Sequence, residues 1–182
     1  KYDNLLRYEG YELILKILRY LYQIDAYISI AEVARERGFV FAEALPLGGN
    51  ILEIEGMFHP LIENAIPNSI QADAEHNVVF LTGANMAGKS TFMKTFGIVV
   101  YLAHMGFPLP VKNMRFSVQN GMYTTINLPD NMMLGYSHFY AEVQRLKKVA
   151  EQVGRIGNLV IVFDELFRGT NVKDAHEATL AV

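Results

Sequence analysis

Apolar side chains near the amino-terminal end of the chain repeat at the spacing of a helix. Between residues 11 and 37 they recur every three or four positions, which places one stripe on a single helical face: Ile14, Ile17, Leu18, Leu21, Ile24 and Ile28. Leu15, Tyr20 and Tyr22 widen the apolar surface, so the helix is expected to pack against more than one neighbour. Gly38 follows a charged last turn and is the expected stop.

Strand-like and helix-like segments alternate in the remainder of the chain. The runs expected to form strands are 51–54, 78–81, 122–126 and 159–163, and the helical patterns cover 89–105 and 139–153. Val78–Leu81 and Leu159–Phe163 are continuous apolar runs, as expected of strands buried on both faces of a parallel sheet. This order predicts an α/β domain with a mainly parallel sheet.

One segment has the composition of a linker. Leu45–Asn50 contains a proline and two glycines and separates the first helix from the strands. We therefore expect two parts, a helical connector at residues 1–45 and an α/β domain at residues 46–182. Because the chain starts at Lys1 and ends in a helix-forming run without a stop signal, we expect a piece of a longer protein, incomplete at its carboxyl end.

Composition and charge exclude several classes of protein. Of the 182 residues, 51% are hydrophobic and 19% are charged, which provides for a packed core and excludes a disordered chain. A net charge of −3 argues against a free-standing basic nucleic-acid-binding module. The absence of cysteine excludes a disulfide framework, an iron–sulfur cluster and a cysteine-ligated zinc site. The longest apolar stretch, 96–111, is broken by glycine and proline, so no membrane span is expected.

The segment between one apolar run and the next helix matches a phosphate-binding loop. Gly83–Ser90 fits the pattern G-x-x-x-x-G-K-S/T at each fixed position. Gly83 and Gly88 would let backbone N–H groups approach a triphosphate without Cβ clashes, and the start of the following helix adds its positive dipole end. Lys89 would reach the β and γ phosphates, and the Ser90 hydroxyl would ligate Mg²⁺.

Two acidic residues would supply the other half of such a site. Asp164 and Glu165 directly follow the apolar run Leu159–Phe163, at the end of an expected strand. Asp164 would hold Mg²⁺ through water, and Glu165 would orient or deprotonate the attacking water. Together with the loop, this pair predicts Mg²⁺-dependent hydrolysis of a nucleoside triphosphate.

Four blocks of the sequence, in order, match the pattern of one family. Thr82–Thr91 carries an Asn-Met pair inside its loop, and Asp164–Thr170 ends in Arg-Gly-Thr. Asp130–Phe139 has its Gly, Ser and Phe in register, and Glu55–Pro60 ends in His-Pro. Together they resemble the ATPase domain of MutS-type DNA mismatch repair proteins. Thr82–Thr91 resembles the family's phosphate loop, and Asp164–Thr170 resembles its Walker B motif with the D-loop that follows. Asp130–Phe139 resembles its signature segment, and Glu55–Pro60 resembles the block before the nucleotide site. Residues 1–44 are similar to the end of the family's lever helices, so the resemblance covers nearly the whole chain.

The resemblance implies an ABC-type P-loop ATPase head that dimerises, with each nucleotide held between two subunits. Gly135 and Ser137 would contact the nucleotide of the partner subunit, and Arg168, Gly169 and Thr170 would form the D-loop. The residues expected around the chain's own nucleotide are Gly83, Ala84, Asn85, Met86, Ala87, Gly88, Lys89, Ser90, Thr91 and His59. Taken without the family, Ser137 is more simply a helix N-cap and His59 a structural residue.

The family also implies a function for the longer protein. ATP is the expected substrate and Mg²⁺ the cofactor, and a second MutS-like subunit is the expected partner in a homodimer. ATP binding and hydrolysis would be coupled to recognition of mismatched or branched DNA by domains outside this chain, in the cytoplasm at the nucleoid. The isolated chain is expected to show weak turnover or none. Two alternatives stay open: a related ATPase acting on recombination intermediates, and a nucleotide-gated binding module with little catalysis.

The sequence departs from the family at several positions. Ala84 stands where the loop usually has proline, and Tyr136 stands where a basic residue often precedes the signature serine. Thr124–Leu128 differs from the usual Arg-x-Gly-Ala run. Ala65 stands where many relatives have a phenylalanine that stacks on adenine. The loss of that contact is expected to lower affinity for the base by about tenfold.

Overall fold

The computed structural model describes residues 10–126, residues 138–164 and residue 166. In chain order its elements are α1 (Tyr11–Arg37), β1 (Glu43–Leu45), β2 (Leu52–Met57), β3 (Asn68–Ala72), α2 (Lys89–His104), β4 (Asn113–Ser117), β5 (Gly121–Thr125), α3 (His138–Ile156) and β6 (Leu159–Phe163). The α/β class is therefore confirmed. None of the helices in these ranges combines the length and apolarity needed to cross a bilayer.

The strands form two sheets. One has four strands in the order β1–β4–β2–β3, and the other is the pair β5–β6. The predicted strands β5 and β6 pair in parallel, and so do β1 and β4, which the sequence analysis did not predict, but β2 runs antiparallel to both β3 and β4. The larger sheet is thus mixed, which corrects the expectation of a mainly parallel sheet. For β2 and β3 the reason is the short connection at residues 58–67, because antiparallel strands need no crossover helix.

Strand alternation gives the four-stranded sheet one apolar and one polar face. On β4, Met114 and Phe116 are buried, while Arg115 between them faces out. Arg115 lies directly opposite Glu43 on β1 and Glu53 on β2. It donates from Nε to Glu43 at 3.0 Å and from Nη1 to Glu53 at 3.2 Å. Opposite charges therefore join three strands on the outer face, while the inner face forms the core.

The core lies between the four-stranded sheet and α2, and it extends to the strand pair. Helix α2 buries one face and packs against β2. Val162 of β6 belongs to the same cluster, so α2 connects the two sheets through apolar contacts. The buried members of the cluster are Ile54, Met57, Phe96, Val99, Val100, Ala103, Leu109, Val111, Met114, Phe116 and Val162.

Helix α1 has the predicted bounds but not the predicted packing. It ends at Gly38, which has a left-handed φ of 68°, and the Phe39 N–H returns to the Ala34 carbonyl at 2.9 Å. The predicted stop is therefore confirmed. None of its residues is buried, so the expectation that it packs on several neighbours is wrong for the described part of the chain. At 1.5 Å per residue the helix is about 40 Å long, and no described layer covers its apolar stripe.

The run at 78–81 does not form the buried strand that its composition predicts. Val78, Val79, Phe80 and Leu81 are 80%, 53%, 83% and 38% exposed, and the segment belongs to neither described sheet. A buried strand needs paired neighbours and a layer on each face, and the described residues give this run neither. Strand β6 forms as predicted, but only Val162 in it is buried, which corrects the expectation of full burial.

Candidate nucleotide-binding site

The predicted phosphate loop forms a tight turn between the exposed run and α2. The Ala87 N–H donates to the Ala84 carbonyl at 3.2 Å, and Met86 takes a left-handed φ of 66°. Gly88 is the N-cap of α2 with a φ of 92°. A Cβ added at Gly88 would meet no atom within 4 Å, so this glycine is required by its backbone angle and not by lack of space.

Lys89 reaches back over the loop that precedes it. Its Nζ donates to the carbonyl oxygens of Gly83 at 2.8 Å and Ala84 at 2.9 Å. The helix thus places a positive charge against the first residues of the loop, which is where the sequence predicts phosphates to bind. Two neutral acceptors hold the ammonium, and a phosphate oxygen would be a stronger acceptor for it.

The start of α2 keeps free backbone donors beside that charge. No side chain caps the helix, and the first helical bond runs from the Phe92 N–H to the Gly88 carbonyl at 2.8 Å. The N–H groups of residues 89–91 therefore have no partner within the helix. Together with Lys89 and the helix dipole, they form an environment that favours an anion. Ser90 is half-buried in this first turn, and Thr91 is exposed.

Asp164 lies where β6 leaves the strand pair. Its N–H donates to the Thr125 carbonyl at 3.3 Å, which ties it to the end of β5. Its side chain is half-buried, and among the described residues no hydrogen bond or ion pair engages its carboxylate. Strand alternation assigns Asp164 to the same face as Val162, which packs in the core that α2 shares.

Two of the residues predicted to hold a metal have side-chain oxygens of the kind that magnesium prefers. Within the described ranges there is no group of three or more histidines and acids that could hold a metal alone. Mg²⁺ is usually bound by one or two protein oxygens, with phosphates and water completing its shell. The Ser90 hydroxyl and the Asp164 carboxylate are oxygen donors of this kind. They would hold Mg²⁺ together with bound phosphates.

Sequence comparison identifies the family. The pattern of MutS domain V matches residues 79–182, which is more than half of the chain and includes both the loop and Asp164. The chain belongs to the MutS family. DNA mismatch repair protein MutS of Thermus aquaticus is 31% identical over 174 residues, or 94% of this chain and 20% of that protein.

Two further MutS relatives agree. The DNA mismatch repair protein MutS of Desulforamulus reducens is 32% identical over 165 residues, or 87% of this chain and 18% of the relative. The MutS protein of Lactococcus lactis is 30% identical over 166 residues, which is 88% of this chain and 19% of the relative. The chain thus spans about a fifth of the length of these MutS proteins.

The His-Pro pair that the sequence analysis assigned to the nucleotide site lies in the turn after β2. His59 is half-buried, its Nδ1 accepts the Leu61 N–H at 3.3 Å, and its carbonyl accepts the Ile62 N–H at 3.2 Å. These bonds fit the structural role that the residue alone suggests. In the described part of the chain no hydrogen bond joins His59 to the loop at 83–91, so its nucleotide contact stays a prediction.

Several MutS site residues predicted from sequence lie outside the described residues. They are Glu165, Gly135, Ser137, Arg168, Gly169 and Thr170. The roles assigned to them stay predictions. Ala65 is described and half-buried, and the segment 61–67 contains no aromatic side chain that could replace a stacking phenylalanine.

An acidic turn fixes the segment that leads into the loop. The Asp73 carboxylate accepts the N–H of His76 at 2.7 Å and that of Glu75 at 2.8 Å. These bonds, that from His76 first, lower the pKa of Asp73 below its ordinary value. The ionised carboxylate therefore stabilises the turn fully at a pH above the ordinary pKa of aspartate. This stabilisation is lost as the pH falls through the lowered pKa of Asp73 in the folded chain.

Sequence reasoning missed two polar side chains around the helix and the strand pair. The His104 ring donates from Nδ1 to the Val100 carbonyl at 2.8 Å and accepts the Gln119 N–H at Nε2, at 3.0 Å. It fastens the end of α2 to the β4–β5 connection. The Thr125 hydroxyl is buried without a hydrogen-bond partner among the described residues. The sequence gives no sign that this hydroxyl is unpaired, because threonine is common on half-buried strands.

Proposed function

We propose that this chain is the ATP-binding and ATP-hydrolysing domain of a MutS-like DNA mismatch repair protein. The observation that carries the proposal is the placement of the Lys89 ammonium over the loop carbonyls, beside the uncapped start of α2. A charge and free N–H groups at one glycine-bounded turn suit a triphosphate better than any neutral ligand. Family membership and the printed names of the relatives support mismatch repair as the setting.

Each proposed role follows from a residue's chemistry. Lys89 exchanges its two carbonyl acceptors for phosphate oxygens, and the N–H groups of residues 89–91 bind the same phosphates. Ser90 and Asp164 hold the metal, which neutralises phosphate charge when it is bound. Glu165 orients the attacking water. Hydrolysis further depends on a second subunit that contributes Ser137, so the chain alone turns over slowly.

Lys89→Ala tests the loop, and Lys94→Ala is its matched control. Both lysines are on α2, but Lys94 is exposed and outside the motif. In a titration of the full chain with a fluorescent ATP analogue and Mg²⁺, we expect Lys89→Ala to weaken binding at least tenfold, because charged hydrogen bonds to phosphate are lost. We expect Lys94→Ala to bind as the unchanged chain does. Equal affinity of the two variants would reject the proposal.

Glu165→Gln separates binding from hydrolysis. The amide keeps the size of the side chain but cannot accept a proton, so we expect unchanged Mg·ATP affinity and a large loss of phosphate release by the assembled, full-length dimer. The reference is the unchanged dimer at the same protein concentration. Phosphate release at the normal rate would remove Glu165 from this role.

A nucleotide-gated binding module with little catalysis is the second candidate. The observation that favours it is Ala65, whose methyl group offers no ring for the base. ATP and GTP bound with similar affinity, together with negligible phosphate release by the dimer, would support this candidate. A preference for ATP with sustained release supports the first.

A further inference from the structure

The one large apolar side chain of the predicted phosphate loop is open to solvent. Met86 is fully exposed, at 103%, and it stands in the turn that the Ala87 N–H closes on the Ala84 carbonyl. Its φ of 66° lies in the left-handed region, which a long side chain rarely adopts. Among the described residues no hydrogen bond engages its sulfur. The loop therefore presents a thioether directly to the solvent.

The other methionines in the described part of the chain are better protected. Met57 and Met114 are buried in the core, and Met93 and Met122 are partly buried against it. Met105, directly after α2, is the next most exposed of the described methionines, at 53%. Oxidation of a methionine requires that the oxidant reach its sulfur. The loop methionine is therefore expected to react first among them.

Oxidation would change the chemistry of this side chain and leave the backbone intact. Hydrogen peroxide transfers one oxygen atom to the Met86 sulfur: the O–O bond breaks, an S–O bond forms, and the sulfur loses two electrons. The peroxide is reduced to water. An apolar thioether, which is a weak acceptor, thus becomes a polar sulfoxide whose oxygen accepts hydrogen bonds. Methionine sulfoxide reductases reverse the change.

A sulfoxide at this position would stand among the donors that a phosphate needs. The Lys89 ammonium already bonds to the Gly83 and Ala84 carbonyls of the same loop. The N–H groups of residues 89–91 have no partner within α2. An acceptor three residues before Lys89 competes with phosphate oxygens for these donors, and its attachment to the chain gives it a high effective concentration. Because a charged phosphate is the stronger acceptor, the competition weakens binding and does not abolish it.

We propose that Met86 is a reversible oxidation site and that its sulfoxide lowers the affinity of the loop for the phosphates of a nucleotide. The effect on affinity rests on the proposed function, because it needs a nucleotide bound at this loop. The oxidation itself depends only on the exposure of the sulfur. The site and its consequence are therefore tested by different measurements.

Peptide mass spectrometry after a brief treatment of the full chain with hydrogen peroxide tests the site without nucleotide. We expect Met86 to gain one oxygen atom about twice as fast as Met105 and on the order of tenfold faster than Met57 and Met114, whose buried sulfurs react only through local opening. The reference is the chain unfolded in urea, in which these methionines should react at similar rates. Oxidation of Met86 no faster than that of Met105 in the folded chain would overturn the proposal.

Titration with a fluorescent ATP analogue and Mg²⁺ tests the consequence, as the ratio of the dissociation constants after and before peroxide treatment. In the unchanged chain we expect this ratio to be about three to ten, which corresponds to one weakened hydrogen bond. Methionine sulfoxide reductases for both sulfoxide epimers should return the ratio to one. In Met86→Leu, which has no sulfur to oxidise at this position, the ratio should stay near one. Met105→Leu is the matched control, and its ratio should equal that of the unchanged chain.

Two results would contradict the effect on affinity. One is a ratio near one in the unchanged chain after mass spectrometry has shown its Met86 to be oxidised. The other is a ratio in Met86→Leu as large as that of the unchanged chain. If the untreated chain binds no nucleotide, the proposed function fails and the effect on affinity fails with it, while the oxidation rates still test the site.

Discussion

The apolar side chains of two segments differ in burial, and the segment with the higher apolar content is the exposed one. In β4 the apolar residues Met114 and Phe116 are almost completely buried, at 0% and 2% exposed. In the run Val78–Leu81 all four residues are apolar, yet Phe80 is 83% exposed. By composition alone the second segment is the better core strand. The contrast shows that strand burial is decided by paired neighbours and not by the apolar content of the segment.

The two segments differ in what surrounds them. Strand β4 has β1 on one side and β2 on the other, and its inner face lies in the core with α2. Arg115 strengthens this pairing from the outer face through Glu43 and Glu53. The 78–81 run has no sheet neighbour in the described residues, and it leads into the loop before α2, whose first turn has no side-chain cap. The scaffold and the candidate site therefore meet at α2, which belongs to both.

Phe116→Ala should have the largest effect of the substitutions that probe this contrast. Removing a ring at 2% exposure deletes apolar burial and leaves a cavity in the core. We expect the free energy of unfolding to fall by about 3–5 kcal/mol. Urea denaturation followed by circular dichroism measures it. A loss below about 1 kcal/mol would mean that β4 is not the packed centre of the scaffold.

The sequence predicted those elements whose signal is local. The helix at 11–37 and its stop at Gly38 follow from periodicity and from the one residue type that adopts a positive φ freely. The strand Leu159–Phe163 follows from a continuous apolar run. In such segments the local sequence shows both the spacing of the apolar residues and the point where the element ends. Tertiary contacts were therefore not needed to predict them.

The strands that sequence reasoning missed depend on partners. Asn68–Ala72 is polar in composition and becomes β3 because β2 pairs with it, Ile70 opposite Ile54. Glu43–Leu45 is only three residues long and is a strand through its register with Arg115–Ser117. No local pattern contains this information. The same dependence explains the error at Val78–Leu81, where the apolar signal was present and the partners were not.

Thr125→Val should have a moderate effect and the opposite sign. The Thr125 hydroxyl is buried without a partner among the described residues, and valine has nearly the same shape without the polar group. We expect the free energy of unfolding to rise by about 1 kcal/mol, because the cost of burying an unpaired hydroxyl disappears. Thr124→Val is the matched control at the preceding residue, which is exposed, and it should change the free energy of unfolding little. Destabilisation by Thr125→Val, measured by thermal unfolding, would show that the hydroxyl is paired in solution.

The candidate site, like the fold, has some features that the sequence predicts and others that it does not. The loop was predictable because glycine, lysine and serine at fixed spacing determine a backbone turn and a charge over it, as Gly88 and Lys89 show. The contact of Arg37 with Pro60 was not predictable, because it joins residues 23 positions apart whose types carry no motif. Motif chemistry is local, whereas the positioning of a motif depends on contacts between distant segments.

Phe80→Ala should have the smallest effect. A phenylalanine that is 83% exposed loses little burial on truncation, so we expect the free energy of unfolding to change by less than about 0.5 kcal/mol. Urea denaturation alongside Phe116→Ala compares the same substitution at an exposed and a buried position. A loss of 2 kcal/mol or more at Phe80 would show that the run pairs and packs in solution, as its composition predicts. The predicted phosphate loop would then follow a buried strand, and β4 and the run Val78–Leu81 would no longer differ in burial.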